Sequence, residues 1–350
     1  MEQKKLIRWG AFVGFLVLAG FSCWYTEQSF HLLSKKIPVP LVWALTIAFF
    51  VLASYGTKMI VDACNRDNYD PHRRLHFWFG IILVAIFWLI MSMPTNTHTF
   101  FYDHNIGNIS QADIAKTNYY LNQIRTRQNC DPTFDSIYNA VTHEFEQAAN
   151  EFNGYNRSSG RRGNGDFTKN QIRIINNIFN REGLQESYFI RFDDQHYNST
   201  DVRILSGYED QMRRGLDYIR DDRYKANPEK AAAANTLMRN LNEMADTIST
   251  MVQLGDVYTD IITQTEGILA EGYDQIKNEQ KYIVFANDTD KELYTAENPE
   301  TLTKRMLSVI DVWADFLSGK YPKSFLFYVL LSILVDVGAF IFFDIAFRKE

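Results

Sequence analysis

Four long apolar stretches constrain the fold of this chain more than any other feature. They cover residues 9–25, 41–62, 75–95 and 324–347 and are dense in Leu, Ile, Val, Phe and Trp. A bilayer core is about 30 Å thick, so a spanning helix needs about 20 apolar residues, a requirement that each stretch meets. Because backbone groups in lipid must be hydrogen-bonded within the protein, each stretch is predicted to be a helix. The sequence therefore predicts an all-α integral membrane protein, with three spans in residues 1–95 and one in residues 324–350.

The first apolar stretch has one alternative interpretation, a cleaved signal peptide. Lys4, Lys5 and Arg8 precede it, as they would in a signal peptide. The stretch ends at the bulky sequence Trp24-Tyr25-Thr26-Glu27, which lacks the small residues of a cleavage site. We therefore predict that it is retained as the first span.

Basic residues near the spans predict the orientation. Four spans place both termini on one side, together with the loop between the second and third spans. That side carries eight basic residues against four on the other, namely Lys4, Lys5, Arg8, Arg66, Arg73, Arg74, Arg348 and Lys349 against Lys35, Lys36, Lys320 and Lys323. The positive-inside rule then predicts cytoplasmic termini, with residues 96–323 on the opposite side.

The 228 residues from 96 to 323 are enough for one sizeable domain with its own core. Cys130 is the only cysteine in this range, which excludes an internal disulfide framework. A secreted eukaryotic domain of this size would usually carry disulfides, so the composition favours a bacterial periplasm and the inner membrane.

Apolar residues in this domain recur at steps of three and four, which predicts amphipathic helices. The clearest such helices cover residues 134–152, 205–219, 237–251 and 302–316, and weaker patterns cover 111–128, 168–182 and 256–282. Residues 186–197 could form a short strand or an extended link, and the glycine-rich segment 153–166 is predicted to be a loop. These patterns predict a helical bundle, whose long apolar stripes also permit coiled-coil pairing and a homo-oligomer.

The segment just after the third span combines aromatic and metal-binding residue types. Phe100, Phe101 and Tyr102 are interpreted as an aromatic anchor in an interfacial loop. His98, Asp103 and His104 are weak metal candidates, because their spacing matches no established ligand pattern. On the helix at 134–152, His143-Glu144 is followed by Gln147, so the HExxH zinc pattern fails.

Motifs for catalysis and for nucleotides are absent from the sequence. It contains no Gly-x-Ser-x-Gly motif, no Walker loop and no dinucleotide fingerprint. It also lacks a basic stripe with interleaved aromatic residues, which argues against nucleic-acid binding. We therefore predict a non-enzymatic protein without a cofactor, in contact with membrane lipid.

Asp336 is the most unusual residue of the four spans. It lies about 12 residues into the last span, so about 18 Å deep, near the middle of the bilayer. An ionisable group there costs several kcal/mol unless it is paired, protonated or hydrated. Asp336, with Ser332 one turn earlier, is interpreted either as a proton or cation site or as an interhelical hydrogen bond, and the second reading is favoured. Four further charged residues near the cytoplasmic interface are predicted to pair locally, namely Lys58, Asp62, Asp344 and Arg348.

Three functions fit these patterns. The first is a scaffold, anchor or adaptor subunit of a cell-envelope complex, for example a secretion or transport machine, that uses its helical domain for protein contacts. The second is a receptor or sensor that signals through a partner. The third is an ion channel or proton-driven unit that uses Asp336. The sequence favours the first.

Overall fold

A computed structural model of the chain describes residues 2–33, 37–65, 71–156, 160–255 and 258–348. Within these ranges the structure is helical and contains no strand. Lys35, Lys36, Arg66 and Lys349, which entered the orientation argument, lie outside the described residues, as does Asp256 at the start of one predicted helix.

The first four helices contain three of the predicted spans. They are α1 (Glu2–Leu33), α2 (Val39–Cys64), α3 (Arg73–Ile86) and α4 (Met93–Arg125), with a π-helical turn, Phe87–Ser92, between the last two. The next four are α5 (Thr133–Asn153), α6 (Asp166–Arg181), α7 (Val202–Ile219) and α8 (Pro228–Leu254). The remaining five are α9 (Thr259–Asn278), α10 (Asp288–Thr295), α11 (Leu302–Met306), α12 (Val309–Leu317) and α13 (Pro322–Ala346).

Four helical runs are long and apolar enough to cross a membrane, namely Gln3–Leu32, Val39–Cys64, Arg73–Arg125 and Lys323–Ala346. This confirms the predicted number and order of candidate spans. The third run has 53 residues, so at 1.5 Å per residue it is about 80 Å long, far more than the hydrocarbon core requires. The helix therefore continues well beyond its apolar part.

That continuation corrects the predicted loop between residues 94 and 104, which is helical. Pro94 falls in the first turn of α4, immediately after the π-helical turn. The helical run is unbroken from Arg73 to Arg125, so Pro94 lies inside it, and the irregular hydrogen bonding of the adjacent π-helical turn accommodates the amide hydrogen that a proline lacks. The proline therefore does not end the helix.

The predicted helix at 302–316 is also wrong in one respect, because the structure divides it into α11 and α12. Ser308 separates them, and its hydroxyl accepts a hydrogen bond from the Asp311 amide at 3.2 Å. A serine cap competes with continuation of the preceding helix. The structure confirms, within a few residues, the helices predicted at 134–152, 168–182, 205–219 and 237–251, except that α8 begins nine residues earlier than predicted. In the segment predicted to be a short strand or an extended link, residues 186–188 form a single 3₁₀ turn.

The described chain divides into two compact units. The first comprises Met1–Ile114, Glu243–Gly267 and Glu300–Glu350, and the second comprises Ala115–Asn242 and Ile268–Pro299. In the first unit α1 packs along α13, and α2 packs on α3. At the second of these crossings a Cβ atom on Gly80 would lie 2.5 Å from the Gly56 carbonyl oxygen, so the absent side chain permits the close approach.

The second unit has an apolar core and a polar cluster within its aromatic packing. Apolar side chains from α5, α6 and α7 form the core, among them Val141, Ile175 and Leu216. Around α10 the carboxylate of Asp290 accepts hydrogen bonds from Lys116 at 2.8 Å and from the Tyr120 hydroxyl at 2.7 Å. The Asp290 carboxylate is therefore both buried and paired with a cation.

Candidate functional site: a buried polar network between the spans

Two helices of the first unit carry matching stripes of small polar residues. Ser22, Thr26 and Ser29 recur at steps of four and three on α1, so they share one face. Ser92, at the end of the π-helical turn, begins a similar stripe that continues on α4 through Asn96 and Thr99. All six side chains are at most 1 % exposed. The two stripes face each other and are joined by direct hydrogen bonds.

Asp336 on α13 lies at one end of this network and is completely buried. The Ser22 hydroxyl donates to its Oδ1 atom at 2.8 Å, and the Ser92 hydroxyl donates to its Oδ2 atom. The indole nitrogen of Trp88 is also near the carboxylate, but beyond normal hydrogen-bond length. Within the described chain no Lys, Arg or His forms an ion pair with this carboxylate.

Asn96 links the two serines to the rest of the network. Its side-chain nitrogen donates to Ser22 Oγ at 2.8 Å and to Ser92 Oγ at 3.0 Å. Its side-chain oxygen accepts from the Thr26 hydroxyl at 2.9 Å. The Thr95 hydroxyl donates in turn to Thr26 Oγ1 at 3.2 Å. The network therefore extends away from Asp336 along the interface of α1 and α4.

The network ends at Ser29, His98 and Thr99. The Ser29 hydroxyl donates to the Thr95 carbonyl oxygen at 2.7 Å and lies 3.0 Å from His98 Nδ1 and 2.6 Å from Thr99 Oγ1. His98 Nε2 lies 3.0 Å from the carbonyl oxygen of Met306 on α11. Both ring nitrogens of His98 thus have partners, one of them in a helix outside the apolar spans.

Ser332, predicted together with Asp336, is also completely buried. It precedes Asp336 by one helical turn, so the two side chains share a face of α13. Among the residues that the structure describes, its hydroxyl meets no hydrogen-bond partner. An unpaired buried hydroxyl is unusual, because buried polar groups are almost always paired.

A cavity of about 380 Å³ lies at the His98 and Thr99 end of the network. Its lining combines carboxylates, histidine and hydroxyl groups from three helices and a connecting segment, with Glu27, His31, Thr99, Asp103 and Tyr258 as the main polar side chains. Thr99 belongs to both the cavity wall and the hydrogen-bonded network. The cavity therefore adjoins the polar interior of the bundle.

The candidate metal ligands and the residues of the predicted aromatic anchor all lie on α4. Among the described residues no group of three or more His, Cys, Asp or Glu side chains is placed to hold a metal ion, so His98, Asp103 and His104 do not form such a site. Phe101 and Tyr102 are buried, and the Phe101 ring packs against Tyr321 and Phe325 at centroid distances of 5.2 Å. These two rings therefore pack against protein, because the segment is helical and turns them inward.

The charged residues near the other end of the spans meet across helices. Lys58 Nζ lies 3.6 Å from an Asp62 oxygen and 3.8 Å from an Asp344 oxygen, both beyond hydrogen-bond length. The pairing of Lys58 on α2 with Asp344 on α13 was not predicted. The carbonyl oxygen of Arg348 accepts a hydrogen bond from Arg8 at 3.0 Å.

The partners of Asp336 were not predicted, although the sequence contains a signal for them. Ser22, Thr26 and Ser29 lie in the first span, and Ser92, Asn96 and Thr99 lie at the end of the third, each set at helical spacing. Polar stripes of this kind in apolar helices are typical of helix–helix interfaces in membranes. The π-helical turn that positions Ser92 is rare and often marks functional sites.

Comparisons with protein-family models, with curated proteins and with solved structures found no match to this chain.

Proposed function

We propose that this chain is a proton-responsive membrane protein in which Asp336 takes up and releases a proton between three helices. The observation that carries the proposal is a completely buried carboxyl group held by two serine hydroxyls, beside an unpaired serine hydroxyl. Ionisable groups inside a membrane are rare and are associated with ion pathways and proton relays.

Two opposing effects make Asp336 suitable for this role. Burial away from water disfavours the carboxylate form, whereas two donated hydrogen bonds favour it. Among the described residues no cation pairs with Asp336 to fix its charged state, whereas Lys116 does so for Asp290. Either protonation state is therefore accessible to a group in this position.

Protonation would change the contacts between helices. The carboxylate accepts hydrogen bonds from Ser22 on α1 and from Ser92 at the start of the α4 stripe. A protonated carboxyl group is itself a donor, so one of these serine hydroxyls has to become an acceptor or lose its bond. Asn96 contacts both serines, so the change spreads along the α1–α4 interface towards His98.

The topology is part of the same proposal. The count of basic residues supports cytoplasmic termini in a bacterial inner membrane, with residues 96–323 in the periplasm. The network then extends from the middle of the bilayer towards the periplasmic side, where His98 meets Met306. A proton taken up at Asp336 would in this way influence the extracytoplasmic helices of the first unit.

The test compares the wild-type chain with Asp336→Asn, which keeps the shape and removes the titration. Infrared difference spectra of the full chain in lipid nanodiscs, recorded between two pH values, should show the carbonyl band of a protonated carboxylic acid in the wild type. The band should be absent from Asp336→Asn and retained in the control Asp246→Asn, whose side chain is exposed. Identical difference spectra for wild type and Asp336→Asn would overturn the proposal.

A second candidate function is the predicted subunit of an envelope complex. Ile310 and Leu317 lie seven residues apart on α12 and so share a face, and they are 70 % and 79 % exposed. Such an apolar face outside the spans supports contact with another envelope protein or with a second copy of this chain. Extraction in mild detergent followed by mass spectrometry should recover a partner or a homo-oligomer at fixed stoichiometry, which Ile310→Glu would disrupt; recovery of a monomer would contradict this role.

A further inference from the structure

We propose that protons reach Asp336 from one side only, through the cavity lined by Glu27, His31 and Asp103, and that an aromatic cluster closes the opposite side. This inference rests on the proposed titration of Asp336 and specifies its route. It is carried by the contrast between the two directions that lead away from the carboxyl group along the spans.

The direction towards the cavity is polar. From Asp336 it passes Ser22, Ser92, Asn96, Thr26 and Thr95 before it reaches Ser29 and Thr99. Ser22 and Ser29 are seven residues apart on α1, so this part of the route is about 10 Å long. Thr99 then lines the cavity, which has room for several water molecules at about 30 Å³ each.

The hydroxyl groups along this route are not a direct relay. Asn96 contributes an amide, and Ser29 connects to the carbonyl oxygen of Thr95 rather than to its hydroxyl. Neither group passes a proton readily. Water admitted among these polar side chains therefore has to complete the connection, and the unpaired Ser332 hydroxyl offers one position for it. An excess proton from the cavity moves along this water, and the last water molecule, as hydronium, gives it to Asp336 and returns to neutral water while the carboxylate becomes a neutral acid.

The opposite direction is closed by aromatic rings. Seven residues before Ser22 on α1 is Phe15, five before Ser92 is Phe87, and four after Asp336 on α13 is Phe340. All three are buried in one cluster, together with Phe50 of α2. The ring centroids of Phe50 and Phe87 are 5.1 Å apart, those of Phe50 and Phe340 are 5.6 Å apart, and those of Phe15 and Phe50 are 6.0 Å apart. A cavity of about 390 Å³ also lies on this side, lined by Trp88, Phe340 and Asp344, but its wall is almost wholly apolar. Packed rings and an apolar wall offer water few polar partners, so this side disfavours the entry of protons.

Few other titratable groups face Asp336 from the neighbouring helices. Cys23 on α1 is close enough to interact electrostatically with Asp336, and His98 on α4 lies at the far end of the network. Lys58 and Asp62 on α2 and Asp344 on α13 lie beyond the aromatic cluster, where Lys58 approaches both carboxylates. Lys323 is exposed in the first turn of α13, at the other end of that helix. The cavity, by contrast, carries two carboxylates and a histidine at its surface, and acidic residues there raise the local concentration of protons.

One-sided access has a functional consequence. A continuous channel needs polar access from both sides, whereas this arrangement connects Asp336 to one compartment. With the proposed topology that compartment is the periplasm. The site would then report external pH, or accept a proton from outside as the first half of a cycle, rather than conduct protons at rest.

The experiment measures how fast a hydrophobic carbodiimide, which reacts with protonated membrane carboxyl groups, modifies Asp336. The full chain is placed in liposomes in one orientation, and the buffer pH is varied on one side at a time. Mass spectrometry of the peptide that contains Asp336 reports the modification, with Asp336→Asn as the blank. We expect modification to be lost when the pH on the cavity side is raised and to be unchanged when the pH on the other side is raised.

Three other results are informative. Modification that follows the pH of the aromatic side, or of both sides equally, would overturn one-sided access while the titration of Asp336 stands. Modification that follows neither pH would contradict the titration itself, and the access route with it. Thr99→Val removes a hydroxyl where the cavity meets the network and should slow the response to cavity-side pH severalfold. Thr57→Val on α2 is the control, because this hydroxyl donates only to a carbonyl oxygen of its own helix at 3.0 Å, and it should leave the response unchanged. Equal rates in the two variants would overturn the route through Thr99.

Discussion

Asp315 and Asp336 are both buried carboxylates of the first unit, yet their surroundings differ in one decisive respect. Asp315, on α12, accepts hydrogen bonds from Arg305 at 2.6 and 3.1 Å and from Lys320 at 2.8 Å. Asp336 has two serine hydroxyls in place of those cations. Asp290 in the second unit resembles Asp315, since Lys116 lies 2.8 Å away.

This difference separates carboxylates that are paired with cations from one that is held by neutral hydroxyl groups. Burial alone would raise the pKa of Asp315, but the hydrogen bonds from Arg305 and Lys320 outweigh it and hold the pKa below its ordinary value. The same balance lowers the pKa of Asp290, where Lys116 and Tyr120 outweigh burial. These two groups remain charged at neutral pH and stabilise the fold. Asp336, in contrast, accepts its hydrogen bonds from serine hydroxyls, which carry no charge.

The largest expected effect tests the structural side of the comparison. Asp315→Asn removes a buried charge and leaves Arg305 without its bidentate partner. Breaking a buried ion pair costs about 3–5 kcal/mol, and we expect about 3 here because Lys320 is half exposed. Thermal unfolding of the full chain in detergent measures it, with Asp246→Asn as the exposed control. A loss of stability no larger than that of the control would place Asp315 outside the set of structural carboxylates.

A smaller effect is expected from two substitutions at Asp336. Asp336→Leu leaves the Ser22 and Ser92 hydroxyls without their acceptor, which costs about 1–3 kcal/mol. Asp336→Asn keeps an acceptor and should cost less than about 1 kcal/mol. The same unfolding assay compares them. If Asn were as damaging as Leu, the charge itself would be required for folding, and Asp336 would behave like Asp315.

The dependence of stability on pH gives a third test, in the second unit. Because the pKa of Asp290 is lowered in the folded state, its stabilising contribution is fully present above the ordinary Asp pKa of about 4. It is lost as the pH falls below that value and through the lowered pKa of the folded state. We expect the melting temperature of the wild type to fall more steeply on acidification below about pH 4 than that of Asp290→Asn. Parallel curves would show that Asp290 does not gain from its partners.

The smallest effect tests the outer end of the network. Ser29→Ala removes one hydroxyl that contacts His98, Thr99 and the Thr95 carbonyl oxygen, and should cost about 1 kcal/mol. Ser136→Ala on α5, where the serine is exposed, should be neutral. Stability unchanged by Ser29→Ala would mean that water replaces the hydroxyl, which would indicate that water already reaches this depth.

The helices were predictable because their signals are local. Steps of three and four, together with capping residues, define α5 through α8, and apolar length defines the spans. The break at Ser308 was missed because a serine cap and an uninterrupted apolar pattern compete, and the pattern alone does not show which prevails. The continuation of the third span through Pro94 was missed because the preceding π-helical turn leaves no mark in the pattern.

The candidate site was only half predictable. Asp336 was identifiable from its depth in the last span alone, because a carboxyl group in the middle of any apolar span is unusual. Its partners come from residues 22 and 92, and a sequence does not show which faces of separate helices meet. Without those partners the favoured reading was an interhelical hydrogen bond. The structure contains such a bond, from Ser22 to Asp336 at 2.8 Å, and it belongs to a larger hydrogen-bonded network.

The π-helical turn Phe87–Ser92 determines the direction in which the side chains after it in the third span point. Such a turn amounts to one additional residue in an α-helix, and each residue of an α-helix advances the direction of the side chain by about 100°. Deletion of one residue from this turn would restore a regular helix and swing Ser92, Asn96 and Thr99 away from α1 together. The polar face of a 53-residue helix is thus oriented by a single extra residue, and loss of that one residue would take the Ser92 hydroxyl away from Asp336.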